Sequence, residues 1–261
     1  MGKTGQGIYE IKSYSKGIMK IIQKSMRYIS FVRDFIVFKQ QDTRFSVRWK
    51  ERYACLNDNT DTTGFNQHHT YNVAWAARIL SKIKPKACVD ISSSVIFNAI
   101  ASAFVPISFY DYRPANIQLD NLTCGAADML QLPFETGSVH TMTCLHVLEH
   151  IGLGRYGDPL DAEGDLKAIV ELKRVIAPAG NLVLTVPIGR PKVIFNADRV
   201  YSYAQIMSYF SGFRVQECAL IPDQGGLLSH ASESMCNDQV YGCGCFWLVK
   251  DEQDIIRVDK E

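Results

Sequence analysis

Residues 87–111 read ACVDISSSVIFNAIASAFVPISFYD: an apolar run, a serine turn, a helix-compatible stretch and a second apolar run. The spacing predicts strands over Ala87–Ile91 and Pro106–Asp111, with a helix over Val95–Phe104 between them. Short apolar runs that alternate with helical stretches are typical of a parallel sheet wrapped by helices. This segment therefore places the chain in the α/β class.

The same alternation continues toward the end of the chain. Five further strands are predicted over Leu122–Asp128, Val139–His146, Asn181–Ile188, Phe213–Ile221 and Tyr241–Lys250. Three further helices are predicted over Thr70–Ile83, Asp161–Ile176 and Ser202–Phe210. Pro178 and Gly180 are expected to form a tight turn between helix and strand. We expect a domain at residues 61–261 with a seven-stranded, mostly parallel sheet and helices on both faces, preceded by a helical extension at residues 1–60.

The first 50 residues are strongly basic, with eleven Lys and Arg against three Asp and Glu, although the whole chain has a net charge of only +1. Apolar residues recur there at helical spacing, namely Ile18, Ile22, Met26, Ile29 and Ile36. Basic residues lie largely off that stripe, namely Lys16, Lys20, Lys24 and Arg27. This pattern predicts an amphipathic helix that lies on an anionic membrane surface, forms a homodimer interface or packs on the domain.

The composition also excludes several classes of protein. The eight cysteines contain no CxxC pair, which indicates neither a zinc ribbon nor a disulfide framework. The apolar run Tyr28–Phe38 is interrupted by Arg33 and Asp34 and is too short to span a bilayer. Beyond the N-terminal segment there is no basic, aromatic-laced patch, so nucleic acid is not the expected partner. We expect a cytoplasmic protein, peripheral at the membrane if its basic helix binds lipid.

An acidic residue ends each of the first three predicted strands: Asp90, Asp111 and Asp128. Ligands of open α/β sheets bind beyond the carboxyl ends of the strands. An acid after the second strand can accept both hydroxyls of a ribose, and one after the third can accept the amino group of an adenine. Each alone could merely cap the next helix, but three in order favour nucleoside recognition. The neighbours assigned to the same site are Ser92, Ser93, Tyr112 and Met129.

The fourth predicted strand ends at His146, the first residue of the string HVLEH (146–150). This string matches the HxxEH pattern of inverted zinc peptidases, but three glycines soon after it argue against one continuous helix, so we expect no metal. A turn whose Glu and His bond neighbouring loops is the structural alternative. For catalysis, His150 is the candidate general base, Glu149 its orienting partner or a direct proton acceptor, and His146 faces the cofactor. His68 and His69 either cap this crevice or simply begin a helix.

Cationic and amide side chains cluster after the fifth predicted strand, namely Arg190, Lys192, Asn196 and Arg199. With Arg155 and the adjacent Tyr156 they would make a rim suited to a phosphate or carboxylate. The alternative is a solvated loop with ion pairs to Asp198 or Asp158. If the rim forms, its ligand is an anionic small molecule.

Taken in order, the segments VDISSS, FYDYRP, AADMLQLPF and CLHVLEHIG resemble class I S-adenosylmethionine-dependent methyltransferases. The strings HIGLGRYGDP (150–159), DLKAI (165–169) and FNADRVY (195–201) resemble an uncharacterised family of methyltransferase-like proteins, over roughly residues 65–222. The resemblance implies a Rossmann-like fold, S-adenosylmethionine as cofactor and methyl transfer to a small-molecule hydroxyl or other nucleophile. Members associated with surface-glycan synthesis imply a sugar or a phosphorylated, anionic glycan precursor as acceptor.

The chain departs from that family pattern at one place. Ser92, Ser93 and Ser94 occupy the turn where these methyltransferases usually have glycines, which let the backbone approach the cofactor closely. Serine is small and can hydrogen-bond a carboxylate or amino group, so binding stays the expectation. The alternative is a degenerate methyltransferase fold that serves as a binding or scaffold protein.

Overall fold

The computed structural model describes residues 4–252, with side chains from Ile18 onward. The chain divides into two compact units, Met1–Gly64 and Phe65–Glu261. In the first unit, helix α1 spans Thr4–Gln41 and contains the predicted apolar stripe, while the side chain of Lys16 lies outside the described residues. No helix in the described part of the chain is long and apolar enough to cross a membrane.

The second unit alternates helices and strands as the sequence predicts. Its elements are α2 (Gln67–Ile83), β1 (Cys88–Ile91), α3 (Val95–Ala101), β2 (Ile107–Asp111), β3 (Leu122–Ala126), β4 (Val139–Leu145), α4 (Gly164–Val175), β5 (Ile176–Ile188), β6 (Lys192–Ile194), β7 (Asp198–Val200), α5 (Tyr203–Tyr209), β8 (Phe213–Ile221), α6 (Glu233–Asn237) and β9 (Gly242–Lys250). A 3₁₀ turn at Leu148–His150 follows β4.

Seven strands form one sheet in the order β3-β2-β1-β4-β5-β9-β8. The pairs from β3 to β5 are parallel, and β9 is antiparallel to both β5 and β8. The prediction of a seven-stranded, mostly parallel sheet is confirmed. Chain order reverses between β1 and β4, which places the ligand crevice of such a sheet beyond their carboxyl ends.

Helices cover both faces of the sheet because its strands alternate their buried side chains. On one face, Leu182 and Leu184 of β5 pack in the same cluster as Leu172 of α4. On the other face, Val183 belongs to the cluster that holds Ile79 of α2. The period-2 alternation of a strand thus gives each face its own apolar core.

The region between α4 and β7 differs from the prediction in two ways. The expected Pro178–Gly180 turn lies inside β5, because Ile176 already pairs with Val139 before a register shift in the ladder. After β5, the chain forms the antiparallel hairpin β6–β7. The sequence does not predict this hairpin, because β6 is exposed and has no alternation of apolar and polar residues. This hairpin returns the chain to the turn after β4.

The glycine-rich loop after the 3₁₀ turn is held where the backbone of Gly152 closely approaches that of Asp161. Gly152 has a φ of +79°, its N–H donates to Asp158 Oδ2 at 2.8 Å, and its carbonyl accepts from Asp161 N–H at 2.9 Å. A Cβ added at Gly152 would lie 2.1 Å from the Asp161 carbonyl oxygen. Gly157 also has a positive φ, +87°, but a Cβ there would meet nothing within 4 Å.

We expect Gly152→Ala to lower the free energy of unfolding by about 3 kcal/mol, since it adds a backbone clash to the cost of a left-handed residue. Gly157→Ala is the matched control and should cost about 1 kcal/mol, from the backbone conformation alone. Urea unfolding of both variants measures the difference. Equal losses would show that the close approach at Gly152 does not constrain the loop.

Candidate functional site

Two adjoining cavities lie at the carboxyl edge of the sheet. The smaller, here called the strand-end cavity, has a volume of about 220 Å³ and is lined by Asp111 and Asp128. The larger, here called the histidine cavity, has a volume of about 630 Å³ and is lined by His68 and His69. Both cavities share four lining residues, Ser92, His146, His150 and Tyr156.

The strand-end cavity brings together six of the eight residues that the sequence assigns to a cofactor, namely Ser92, Asp111, Tyr112, Asp128, Met129 and His146. Asp111 Oδ1 accepts a hydrogen bond from Arg113 N–H at 2.7 Å, and Asp128 Oδ1 accepts one from Leu130 N–H at 2.8 Å. Each aspartate therefore caps its own turn with one oxygen. The second oxygen of each carboxylate can accept from a ligand.

Asp90 and Ser93 lie beneath the cavities and do not line them. Asp90 is fully buried, and its carboxylate accepts from Ser93 N–H at 3.0 Å, from the Asn98 amide at 2.8 Å and from the Thr143 hydroxyl. The Ser93 hydroxyl accepts from Leu145 N–H at 3.0 Å. These two residues, expected to bind cofactor, instead tie the turn after β1 to β4.

Burial raises the pKa of Asp90 to about 6, while the hydrogen bonds from Thr143, Ser93 and Asn98 oppose that rise. A buried carboxylate is costly unless its lone pairs are satisfied. The three donors explain how this carboxyl stays in the core next to the sheet.

Ser92 occupies the place where the resemblance leads one to expect glycine. Its φ is +53°, in the left-handed region that favours glycine, and its N–H donates to the Tyr110 carbonyl at 2.7 Å. The serine turn therefore adopts the backbone conformation that a glycine would supply. The substitution keeps the turn and adds a hydroxyl at the junction of the two cavities.

His146 and Glu149 form a buried pair just after β4. The distance from His146 Nδ1 to Glu149 Oε1 is 2.7 Å, and Glu149 is fully buried. Burial acts to lower the pKa of His146, but the neighbouring Cys243 and Glu149 outweigh it and raise that pKa. Among the described residues, His146 Nε2 and Glu149 Oε2 have no hydrogen-bond partner. Buried polar atoms are nearly always bonded, so these two atoms leave hydrogen-bonding capacity unused in residues that line the cavities.

His150 has a fixed tautomer. Its Nδ1 lies 2.8 Å from the Ala197 carbonyl oxygen, which can only accept, so Nδ1 carries the proton and Nε2 presents a lone pair. Asp198 Oδ1 lies 3.2 Å from the same Nδ1. Glu149 Oε1 is 4.0 Å from His150 Nε2, too far for a hydrogen bond, and its short contact is with His146. The partner that orients His150 is therefore the β6–β7 hairpin, not Glu149 as the sequence suggested.

Asp198 lines the candidate site, and the sequence does not predict it there. Besides His150, it accepts a hydrogen bond from the Tyr241 hydroxyl at 2.8 Å and lies 3.5 Å from Arg155. In the sequence it is merely an acid beside loop cations. Predicting the β6–β7 hairpin would have placed Asp198 beside His150. Because β6 is exposed, its sequence lacks the apolar alternation that predicts a strand.

The HVLEH string does not form a single helix. His146 has a φ of +56° and precedes the 3₁₀ turn that contains Glu149 and His150. The two histidines therefore do not share a helical face as an inverted zinc peptidase requires. The structure instead has a strand-end turn whose side chains bond neighbouring loops and also line a cavity.

The histidine cavity is rich in uncharged hydrogen-bonding groups. His68 stacks on Tyr241 with 5.5 Å between ring centroids and an interplanar angle of 2°, and it also stacks on His146 at 5.8 Å. Burial and then His146 lower the pKa of His68 and of His69, so both rings are neutral near pH 7. Asn72 also lines this cavity, and its buried Oδ1 has no partner among the described residues.

Comparison with solved structures places this arrangement in a known fold. A putative sarcosine dimethylglycine methyltransferase from Galdieria sulphuraria superposes with a TM-score of 0.51 at 16% identity, covering 70% of this chain and 86% of the other. NodS, an N-methyltransferase from Bradyrhizobium japonicum solved with S-adenosyl-L-homocysteine, gives 0.50 at 14%, covering 70% and 85%. YcgJ from Bacillus subtilis gives 0.50 at 15%, covering 70% and 100%. The fold is the Rossmann-like fold of class I methyltransferases.

Sequence comparison reaches less of the chain. The profile of a family described as "Caenorhabditis protein of unknown function, DUF268" matches residues 135–219, from before β4 through most of β8. No curated protein matches the sequence. The matched segment contains the HVLEH turn and the β6–β7 hairpin, so it includes the groups that orient His150.

The cationic rim expected on this methyltransferase fold is not assembled. Of its predicted members, Arg155 and Tyr156 line the histidine cavity, whereas Arg190 and Asn196 are exposed and line neither cavity. Arg199 is buried and donates to the carbonyls of Ile151, Asp161 and Ala162. Arg199 therefore ties the glycine-rich loop to β7. Its position in the sequence near Arg190 and Lys192 does not show whether its side chain points inward or toward a substrate.

One group of side chains has spacing that a metal ion could use. Within residues 4–252, Glu149, His150 and Asp198 offer ligand atoms that all lie within 4.8 Å of one another. However, an Arg155 guanidinium nitrogen lies 3.5 Å from Asp198 Oδ1 and 3.4 Å from His150 Nδ1. This positive charge beside Asp198 and His150 disfavours a cation there.

The buried carboxyl of Asp90 gives a pH prediction. Its pKa is about 6 when folded against an ordinary 3.8, so its protonation favours the fold below that pH, and this contribution is lost as pH rises through 6. Asp90→Asn cannot titrate. The stability of the natural chain relative to Asp90→Asn should therefore increase by about 2–3 kcal/mol between pH 7 and pH 4.

Urea unfolding at several pH values measures this difference, with the exposed Asp120→Asn as the matched control. The control should change little with pH relative to the natural chain. A pH-independent difference for Asp90→Asn would contradict the raised pKa.

Proposed function

We propose that this protein is an S-adenosylmethionine-dependent O-methyltransferase that acts on a hydroxyl of a small polyhydroxylated acceptor, such as a sugar or glycan precursor. One observation carries the proposal. Two cavities meet at Ser92, His146 and His150 on a methyltransferase fold, one with two strand-end carboxylates and the other beside an oriented imidazole.

The strand-end cavity suits the nucleoside part of the cofactor. The free carboxylate oxygen of Asp111 can accept the ribose hydroxyls, and that of Asp128 can accept the adenine amino group. Tyr112 and Met129 offer apolar surface to the base. S-adenosylmethionine, when bound, would supply a methyl group activated by a positively charged sulfur. The glycine-like turn at Ser92 favours binding over a scaffold that has lost the cofactor.

His150 is suited to act as the general base. His150 Nε2 would accept the acceptor's hydroxyl proton as that oxygen bonds the methyl carbon and the methyl–sulfur bond breaks, which leaves the cofactor as a neutral thioether. The Ala197 carbonyl keeps the other ring nitrogen protonated, and Asp198 stabilises the imidazolium that results. Most of the rate enhancement would come from holding acceptor and donor in line at the cavity junction.

The histidine cavity suits an acceptor that brings hydrogen-bond donors. Asn72 Oδ1 and Glu149 Oε2 are buried acceptor atoms without partners among the described residues, and hydroxyl groups would satisfy both. Arg155 is the one lysine or arginine in the described lining, and it is already paired with Asp198. These features support an uncharged polyol over the phosphorylated or carboxylated acceptor that the sequence also suggested.

Asp111→Asn should weaken S-adenosylmethionine binding by about tenfold to a hundredfold, because a charge-assisted hydrogen bond is replaced by a neutral one. The asparagine oxygen can still accept Arg113 N–H, so the turn is retained. Isothermal titration with S-adenosylmethionine and S-adenosylhomocysteine measures the change, with exposed Asp120→Asn as control. Unchanged affinity would show that Asp111 does not hold the ribose.

His150→Ala should lower turnover by about a hundredfold or more while cofactor affinity stays within about threefold of the natural value. Asp198→Asn should lower turnover less, because it leaves the base in place and removes only its anionic partner. The exposed His140→Ala is the matched histidine control.

The assay measures S-adenosylhomocysteine release over a panel of free sugars, nucleotide sugars and phosphorylated sugars. Full turnover by His150→Ala would contradict its role as base. Turnover only with phosphorylated sugars would contradict the uncharged acceptor.

A further inference from the structure

Helix α1 presents an apolar stripe to solvent that the rest of its unit leaves open. Its members are Ile18, Ile22, Met26, Ile29 and Ile36, which are 48–68% exposed. At 1.5 Å per residue the stripe runs about 27 Å along the helix. Arg33 lies on the same face between Ile29 and Ile36 and interrupts the stripe there. An exposed apolar face of this length usually marks a binding surface.

The segment after α1 packs on a different face of the helix. Trp49 contacts Phe35 edge-on with 4.9 Å between ring centroids and Phe31 at 6.3 Å, and Arg27 donates to Asn57 Oδ1 at 2.8 Å. At 100° per residue, Arg27, Phe31 and Phe35 lie away from the isoleucines. The unit thus covers one face of α1 and leaves the stripe free.

The charge of α1 indicates what covers the stripe. Between Thr4 and Gln41 the helix carries seven Lys and Arg against two Asp and Glu. Lys20, Lys24 and Arg27 lie on the face away from the stripe, the arrangement of helices that lie in a lipid interface. A second copy of α1 would bring like charges together, whereas an anionic lipid surface complements them.

We propose that α1 docks the chain on an anionic lipid bilayer, with the isoleucine stripe at the acyl boundary and the positive charge of the helix attracted to the anionic headgroups. The proposal is independent of the methyltransferase activity. Of the three roles that the sequence left open for this helix, this one is binding to an anionic membrane surface.

The test is flotation of the full chain with vesicles of phosphatidylcholine alone or with about 30% phosphatidylserine. We expect at least about tenfold tighter binding to the anionic vesicles, and this preference should fall as salt rises from 0.05 to roughly 0.5 M. Ile22→Glu with Ile29→Glu should weaken binding at least about tenfold. Gln23→Glu with Gln41→Glu makes the same charge change away from the stripe and should weaken binding less than the stripe variant does.

Lys20→Glu with Lys24→Glu separates the electrostatic part, since it leaves the stripe intact and should weaken binding to anionic vesicles while flattening the salt dependence. Circular dichroism confirms that each variant keeps its helix content. Absence of binding to anionic vesicles, or equal losses in the stripe variant and its control, would overturn the proposal. So would a natural chain that sediments as a dimer, binds no vesicles and becomes monomeric with Ile22→Glu and Ile29→Glu, because the stripe would then be an interface between copies.

Discussion

The buried carboxylate of Asp90 is the interaction on which the site depends. It accepts hydrogen bonds from the turn after β1, from α3 and from the Thr143 hydroxyl of β4. β1 and β4 are the strands between which chain order reverses. By joining them at that point, Asp90 fixes Ser92 on one side and the HVLEH turn on the other. Both cavities open where these two segments meet.

Two acid–histidine pairs lie at the candidate site. Glu149 is bound to His146 inside the protein and has one buried oxygen without a partner among the described residues, whereas Asp198 contacts His150 from the β6–β7 hairpin. The first pair suits ligand recognition because it is buried and incompletely satisfied. The second suits proton transfer because its tautomer is fixed by a carbonyl. Four residues apart in sequence, the two histidines thus have different partners.

Much of the fold follows from the sequence because parallel strands buried on both faces give clear apolar runs. The strands that end at Asp111 and Ile221 have the predicted ends, and Asp111 and Asp128 line a cavity as their strand-end positions imply. Asp198 could not be found in this way, since it lies on a short, partly exposed hairpin. Arg199 shows the converse error. Its place after β5 suggests a substrate rim, but its guanidinium turns inward to three backbone carbonyls, and spacing along the chain does not show side-chain direction.

The proposed binding mode places a nucleoside cofactor between Asp111 and Asp128, with its reactive end beside Ser92, His146 and His150. A crystal structure with S-adenosylhomocysteine would show this arrangement. We expect the ribose hydroxyls on Asp111, the adenine amino group near Asp128 and the sulfur at the junction of the two cavities. A crystal soaked to saturation that shows the ligand elsewhere, or its sulfur pointing away from His150, would refute this binding mode.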